Sequence, residues 1–505
     1  MTEIQINQRS RRQTAAQVNY YESDTNDEEE STEDIYAFNE YTMDADDDSS
    51  SEVDNTDVIQ PRVQRNSRLS GRVMTAASNP GIAFEVVEIP NIFQFNQVSH
   101  CLPTVNPVSS VDYTSPISIF NYLFDAGIQK LYAKTIIKYR ELVQARVDKA
   151  LENSDNSRPH PPLLCSPLSL NDIRAFIGAI LMMDIYQRPE LKNYWGLGKS
   201  VNKFKPISDS ITYSKFSDIR ACIGVEDENY LIQLLCKTSR KLVSSTNELS
   251  IDEQLRLFTG RYANKIVMKD KPAGCGIKCI GMADSNTKLP LWWSTIGLGE
   301  EQVVINGMNK YSAICASFLS QTTNKYVFID NLYTTQELHE YCYSKDIKLV
   351  GTVRSQNLPK PLKELFKQFK KIKRDDIYGY CDGTPIVELV TQSYIVGNVY
   401  YIFVLDNGAF CMSTNCQELF EKGRIKVMSR MSEKQRIKFN VNTYKVYKLV
   451  PYIVAYYNKK MNGVDVIDQL IVSHERHQRQ SKWTVSLIYT AIKMAETTSF
   501  TVNKW

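Results

Sequence analysis

Four aspartates in three separated motifs are the residues of this sequence best suited to chemistry. Asp252 stands in Ser250-Ile251-Asp252-Glu253-Gln254, Asp330 follows the apolar run Tyr326-Val327-Phe328-Ile329, and Asp465 and Asp468 close the segment 457–468. Carboxylates carried by different elements and gathered by folding suit a pair of hard divalent cations. Such cations take oxygen ligands and polarise both the attacking and the departing oxygen of a phosphoryl transfer. Asp252 and Asp330 each follow an isoleucine in what read as buried strands, where an unpaired carboxylate is costly unless a cation neutralises it. The competing account of any one aspartate is a helix cap or a solvated charge, and 57 acidic residues give that account weight.

The elements that would position them begin near residue 248, where the texture turns to short β-prone runs. Strands are expected over 248–252, 276–283 and 289–296, with Asp284-Ser285-Asn286 turning between the last two. A helix over 312–320, a strand over 325–329, a helix over 335–344 and a strand over 348–353 follow. A three-stranded meander and then alternating helix and strand is the order of an RNase H-like α/β core. In that fold the first and fourth strands lie side by side, which would set Asp252 against Asp330. One helix over 454–470 would carry Asp465 and Asp468 on a single face, three residues apart. Glu253 should turn to the other face of its strand, outside the site.

Around this core, residues 110–245 read as helical. Ile117, Phe120, Leu123 and Phe124 recur at helical spacing, as do Ile136, Tyr139, Leu142 and Val143, and further helices are expected over 173–185 and 210–223. An insertion follows Val353. Its segment 360–374 reads as an amphipathic helix with Leu362, Leu365, Phe366, Phe369 and Ile372 along one side and Lys363, Lys367, Lys370, Lys371 and Arg374 along the other. Residues 390–405 read as two strands joined at Gly397-Asn398, and a second basic run spans Lys422 to Lys438.

Charge is distributed unevenly. The first 60 residues hold 17 acidic against 3 basic side chains, leaving 57 basic against 40 acidic in the remainder. An acidic, apolar-poor tail of this kind does not order on its own, and a basic body suits a polyanion. The basic helix and the crowd Lys459, Lys460, Arg476, Arg479 and Lys482 are candidate phosphate contacts, with solvated lysines the alternative. Trp483 could stack on an unpaired base or simply pack a helix. Arg62, Arg65, Arg68 and Arg72 form a short patch that could serve nuclear import, contact phosphate or only link. No stretch reads as a signal peptide or is long enough to span a bilayer, so no membrane partner is expected. Eleven cysteines without a Cys-x-x-Cys pair point to reduced thiols and no zinc site. Gly196-Leu197-Gly198-Lys199-Ser200 lacks the first glycine of a phosphate loop, and His474-Glu475-Arg476-His477 has the wrong spacing for a zinc protease.

At these residues the sequence resembles the piggyBac family of DNA transposases. The matches are Asp252-Glu253-Gln254 with Phe258 and Gly260-Arg261, Lys271-Pro272 with Gly276-Ile277-Lys278, and Ala283-Asp284-Ser285. They continue with Asp330-Asn331 and Tyr333-Thr334, Gly351-Thr352-Val353-Arg354, Tyr457-Asn458-Lys459, and Met461, Gly463-Val464-Asp465 and Asp468-Gln469. Phe176, Gly178, Pro189 and Tyr194-Trp195 extend the likeness upstream. The resemblance implies an RNase H-like catalytic core interrupted by an insertion domain and flanked by a mainly helical dimerisation and DNA-binding domain. The expected layout is a disordered acidic region over 1–90, the helical domain over 91–245 and 471–505, the catalytic domain over 246–355 and 446–470, and the insertion over 356–445.

The resemblance also implies that Asp252, Asp330 and Asp465 bind two Mg2+ (or Mn2+) ions, with Asp468 as a further catalytic carboxylate. Cut-and-paste transposition in the nucleus is the implied activity: double-stranded terminal repeats are cleaved through a hairpin and joined to TTAA target DNA by at least a dimer. Two departures stand out. Members commonly end in a cysteine-rich zinc-binding domain, whereas this sequence stops at Trp505 within what should be helical domain, so that domain is expected to be truncated. Asn462-Gly463 replaces the usual Gly-Gly. A domesticated DNA-binding or chromatin protein that uses the fold without cleavage is the second reading.

Overall fold

The structure is a computed structural model that describes residues 84–89, 93–95, 104–152, 167–197, 202–225, 227–267, 274–296, 305, 307–372, 377, 379–381, 383–406, 408–473 and 482–504. The acidic segment, the Arg62–Arg72 patch, the His474–His477 motif, and Arg374, Arg476 and Arg479 among the expected DNA contacts lie outside these residues.

The helical part opens with α1 (Pro116–Glu152), one helix of 37 residues begun by a proline whose missing N–H costs nothing at that position. It continues with α2 (Leu170–Ile185), set by a capping box in which Ser169 and Asp172 satisfy each other's backbone N–H groups, then α3 (Tyr213–Cys222) and α4 (Glu228–Leu242). Ile119, Leu123, Phe124, Phe176, Ile180, Phe216 and Leu235 meet in one apolar core. Ile117, expected inside, is 64% exposed, because Ile119 and Phe120 take the inward side of that turn.

Next come β1 (Glu248–Leu257), β2 (Cys275–Asp284) and β3 (Pro290–Thr295), then α5 (Lys310–Phe318), β4 (Tyr326–Ile329), α6 (Gln336–Ser344) and β5 (Lys348–Val353). β1 pairs antiparallel with β2 and parallel with β4, β2 pairs antiparallel with β3, and β4 pairs parallel with β5. The first and fourth strands do lie side by side. Leu249, Ile251, Val327, Ile329 and Leu349 turn one face of this sheet onto α5 and α6.

After α7 (Lys360–Phe369) come β6 (Thr384–Glu388), β7 (Val390–Val396), β8 (Val399–Leu405) and β9 (Ala409–Thr414). β7, β8 and β9 form a meander that continues the same sheet, because β9 pairs antiparallel with β5. β10 (Arg424–Arg430), α8 (Glu433–Phe439) and β11 (Lys445–Pro451) follow, and β6, β11 and β10 are the middle of a second sheet of five strands whose edges are Gly379–Cys381 and Phe93–Phe95. α7 is shorter than expected: it ends at Phe369, and Ile372 is 37% exposed beyond it. Phe366 and Phe369 end the packing by lying on Phe403, with ring centroids 4.8 and 5.6 Å away.

The single helix expected over 454–470 is two: α9 (Tyr452–Lys460) and α10 (Gly463–Ser473), broken at Met461-Asn462. The chain closes with α11 (Trp483–Asn503). Val464, Ile467 and Ile471 of α10 join the helical core, so α10 is wedged between that core and the sheet. No described helix is long and apolar enough to cross a membrane.

Candidate active site

The site is built on a row of residues across three parallel strands. Ile251 of β1 is the register partner of Ile329 of β4, and Ile329 is the partner of Gly351 of β5. The next residue on each strand is therefore Asp252, Asp330 or Thr352, side by side at a strand spacing of about 5 Å. Alternation sends all three to the face away from α5 and α6. Thr352 donates its hydroxyl to Asp330 Oδ1 at 2.9 Å. Asp252 is 8% exposed and has Gly281 of β2 as its antiparallel partner. A side chain at Gly281 would run into the buried Trp293 ring, so only glycine leaves room for the indole there.

The turn after β4 is braced by the motif after β5. Thr334 Oγ1 donates to the carbonyl of Asp330 at 2.9 Å, and a Cβ on Gly351 would lie 2.4 Å from that hydroxyl oxygen. Arg354 Nε donates to Asn331 Oδ1 at 2.8 Å. Glycine at 351 and arginine at 354 thus hold Asp330 in place from below.

The other two carboxylates come across the sheet on α10. A Cβ built on Gly463 would sit 2.2 Å from Ser250 Oγ, so only glycine lets the helix start this close to β1. That approach is what breaks the expected long helix. Asn462 accepts a 2.7 Å hydrogen bond from Lys288 Nζ, which fixes the junction from the side. Asp465 lies in the first turn of α10 and is half-buried. Asp468 accepts from Gln254 Nε2 and lies 3.2 Å from Arg256 Nη1, both on β1.

Tyr457 of α9, 1% exposed, stands among these groups. Burial first, then the negative charge of Asp330, and further those of Asp252 and Asp465, hold its phenol protonated well above the usual range, opposed by its hydrogen bond with Thr352. The phenol is a neutral hydroxyl in the field of three carboxylates. Tyr333 is likewise pushed up by burial and by Asp252. Thr352 and Tyr457 are site residues that spacing alone did not single out. The signal was present in the alternation of 348–353, which puts Thr352 in line with Asp330.

Three carboxylates and a hydroxyl form an all-oxygen donor set, which fits Mg2+ or Mn2+ in kind. Buried Asp252 and half-buried Asp330 set two carboxyl groups side by side, an arrangement that suits a shared cation. Among the described residues no three His, Cys, Asp or Glu side chains are already gathered as a metal cluster, so the carboxylates would have to draw together around a cation. Glu253 turns to the opposite face, where Lys278 Nζ lies 2.6 Å from its carboxylate.

The expected DNA contacts divide. Lys367, Lys370 and Lys371 are exposed on or just after α7 and Lys363 is half-buried; Lys370 lies over the Phe366 ring. Lys482 is exposed and donates to the Ala221 carbonyl at 3.0 Å. Lys459 is half-buried, and burial followed by the charge of Lys460 lowers its affinity for a proton. Lys460 is not a surface residue: it is 1% exposed, donates to Asn286 Oδ1 and lies 3.8 Å from Glu248. Its chemistry is internal, since Glu248 also accepts from Tyr456 and Asn286. Trp483 is half-buried and lies on Tyr262, ring centroids 4.7 Å apart.

A family model described as Transposase IS4 matches residues 115–500. No curated protein matches the chain. Among solved structures, the cryo-EM structure of the piggyBac transposase synaptic complex with hairpin DNA is similar at a TM-score of 0.55 and 18% identity, over 80% of this chain and 77% of that one. At that identity the likeness is one of fold.

Proposed function

The chain belongs to the Transposase IS4 family, and from that premise we propose that it cleaves double-stranded DNA at transposon ends and joins them to a target by metal-dependent phosphoryl transfer. We read β1 to β5 as an RNase H-like core, with Asp252, Asp330 and Asp465 as the ligands of two Mg2+ or Mn2+ ions. When bound, such ions supply an activated nucleophile and neutralise charge on the departing oxygen. The protein's own residues do the rest. Thr352 orients the Asp330 carboxylate through one oxygen, leaving the other for the cation. Tyr457, kept protonated, can donate to an oxygen within the site but cannot act as a base near neutral pH. Gly463 brings α10 close enough for Asp465 to face the row.

The exposed lysines of α7 would grip the phosphate backbone without reading sequence. Hairpin formation, a TTAA target, action as a dimer and a nuclear location follow from the family likeness and are parts of the same proposal. The observation that carries the reading is the register Ile251–Ile329, which sets Asp252 beside Asp330. Its test is excision of a plasmid-borne element flanked by its own terminal repeats, with Mg2+ or EDTA and with Asp330→Ala. Mg2+-dependent breaks lost in the variant support the enzyme. DNA binding without breaks in either protein would leave the second reading, a transposase-derived DNA-binding protein.

A further inference from the structure

Arg256 is a buried charge that the proposed reaction does not use. It lies on β1 on the same face as Ser250, Asp252 and Gln254, and it is 4% exposed. Its register partner is the buried Ile277, and its charge is felt by the thiol of Cys279, which burial pushes up and Arg256 pulls down. A guanidinium at such a position is expensive to desolvate, and a pair of apolar residues in place of such an ion pair is often at least as stable. The pairing is incomplete as well. Nη1 lies 3.2 Å from Asp468 Oδ1, the oxygen that also accepts from Gln254, while Nε and Nη2 are buried without a partner. Half-satisfied buried networks are what cores otherwise avoid. Stability is therefore a poor reason for an arginine here.

Resting on the function proposed above, we propose that Arg256 is a positioning residue for the metal-binding carboxylates. With Gln254 it draws Asp468 onto β1 and so fixes the rotation of α10 about its own axis. Asp465, three residues earlier on nearly the same side, is thereby turned toward Asp252 and Asp330. Small rotations matter: a turn of about 20° moves a group at the helix surface by roughly 2 Å. That displacement is far outside the tolerance of a metal–oxygen contact, about 0.2 Å. Arg256 need not touch DNA or a cation to set how tightly the cation is held.

The test uses the full chain with Arg256→Leu, Arg256→Lys, Asp468→Asn and the double variant Arg256→Leu/Asp468→Asn. Mn2+ affinity is followed by electron paramagnetic resonance, and the thermal midpoint is measured in EDTA. Arg256→Leu leaves the Asp468 carboxylate, 32% exposed, without its cationic partner. It should lower the midpoint slightly and weaken Mn2+ binding about tenfold, the range seen when a group behind a metal ligand is removed. The double variant, which removes the pair as a whole, should keep or raise the midpoint. Arg256→Lys should restore most of the affinity. The double variant should bind no more weakly than Asp468→Asn alone, since the arginine acts through that carboxylate. Gln254→Leu, which removes the neutral half of the clamp, should weaken Mn2+ in the same direction and serves if Arg256→Leu does not fold. Wild-type Mn2+ affinity in Arg256→Leu, or effects of the two single changes that multiply, overturns the inference alone. A wild-type protein that binds no Mn2+ and cuts no DNA overturns the proposed function and this inference with it.

Discussion

Ile251 and Ile329 are register partners on adjacent parallel strands, and that single pairing brings Asp252, 8% exposed, beside Asp330 from 78 positions further along the chain. Two like charges set this close repel each other in the absence of a cation. Asp330→Asn should therefore stabilise the protein in EDTA, by about 1 kcal/mol, while lowering DNA cleavage by at least about a thousandfold. The two effects have opposite signs and are read by different measurements, a thermal melt and an excision assay. A variant that loses both stability and activity would mean that the carboxylate is a structural partner instead.

Gly463 is the second fulcrum of the site. Its ideal Cβ falls 2.2 Å from Ser250 Oγ and 3.3 Å from the Ala283 Cβ, so Gly463→Ala must turn the Ser250 hydroxyl aside or push α10 off β1. The expected cost is about 1–3 kcal/mol of stability, together with a loss of cleavage of more than about tenfold, because Asp465 retreats with the helix. Ser250→Gly removes the obstructing hydroxymethyl group and should recover part of both losses in the double variant. Absence of any rescue would place the constraint elsewhere.

Much of this arrangement was legible in the residues, and the parts that were not share a cause. The strands expected over 248–252, 276–283, 325–329 and 348–353 announce themselves through runs of β-prone residues, though the first runs on to Leu257, and their order implied the contact between Asp252 and Asp330. The break at Met461-Asn462 did not show, because it comes from the approach of Gly463 to Ser250, more than 200 positions away. Lys460 looked like a DNA contact for a similar reason: its partners Glu248 and Asn286 are distant in sequence and close only in the fold. Ile372 fitted the apolar stripe of α7 by spacing, but the helix stops at Phe369, where Phe403 closes the packing. Local pattern found the elements. Contacts between elements decided which charged side chains went inside.

The exposed lysines of α7 give a prediction that does not depend on cleavage. Lys367, Lys370 and Lys371 are exposed on or just beyond a helix whose other side is buried against Phe403. If each contacts one backbone phosphate, replacing all three with alanine should weaken DNA binding at low salt. It should also reduce the slope of log affinity against log salt by roughly 3, with little change in any sequence preference. Lys367 lies 3.0 Å from Glu364, so its share is expected to be the smallest. Fluorescence anisotropy across a salt series reads all of this. An unchanged slope would make these lysines solvated surface only.

His339 of α6 offers a test of the fold that is independent of the site. Its ring is fully buried, Nε2 lies 2.7 Å from Ser413 Oγ of β9, and burial lowers its pKa from 6.5 to about 3. The ring is therefore neutral in the folded protein, whereas in the unfolded chain it takes up a proton below about pH 6.5. Between those two values the unfolded state holds more protons, so the contribution of this group to stability is complete above pH 6.5 and is lost as the pH falls. The slope is about 1.4 kcal/mol per pH unit. His339→Gln keeps a polar group in reach of Ser413 but cannot titrate. Between pH 7 and pH 5 the wild type should thus lose roughly 2 kcal/mol more than the variant in urea denaturation. Every other ionisable group is common to both proteins and cancels in the difference. Equal losses would mean that the imidazole is solvated enough to take its proton in place, and that α6 does not seal against β9 as it does in this structure.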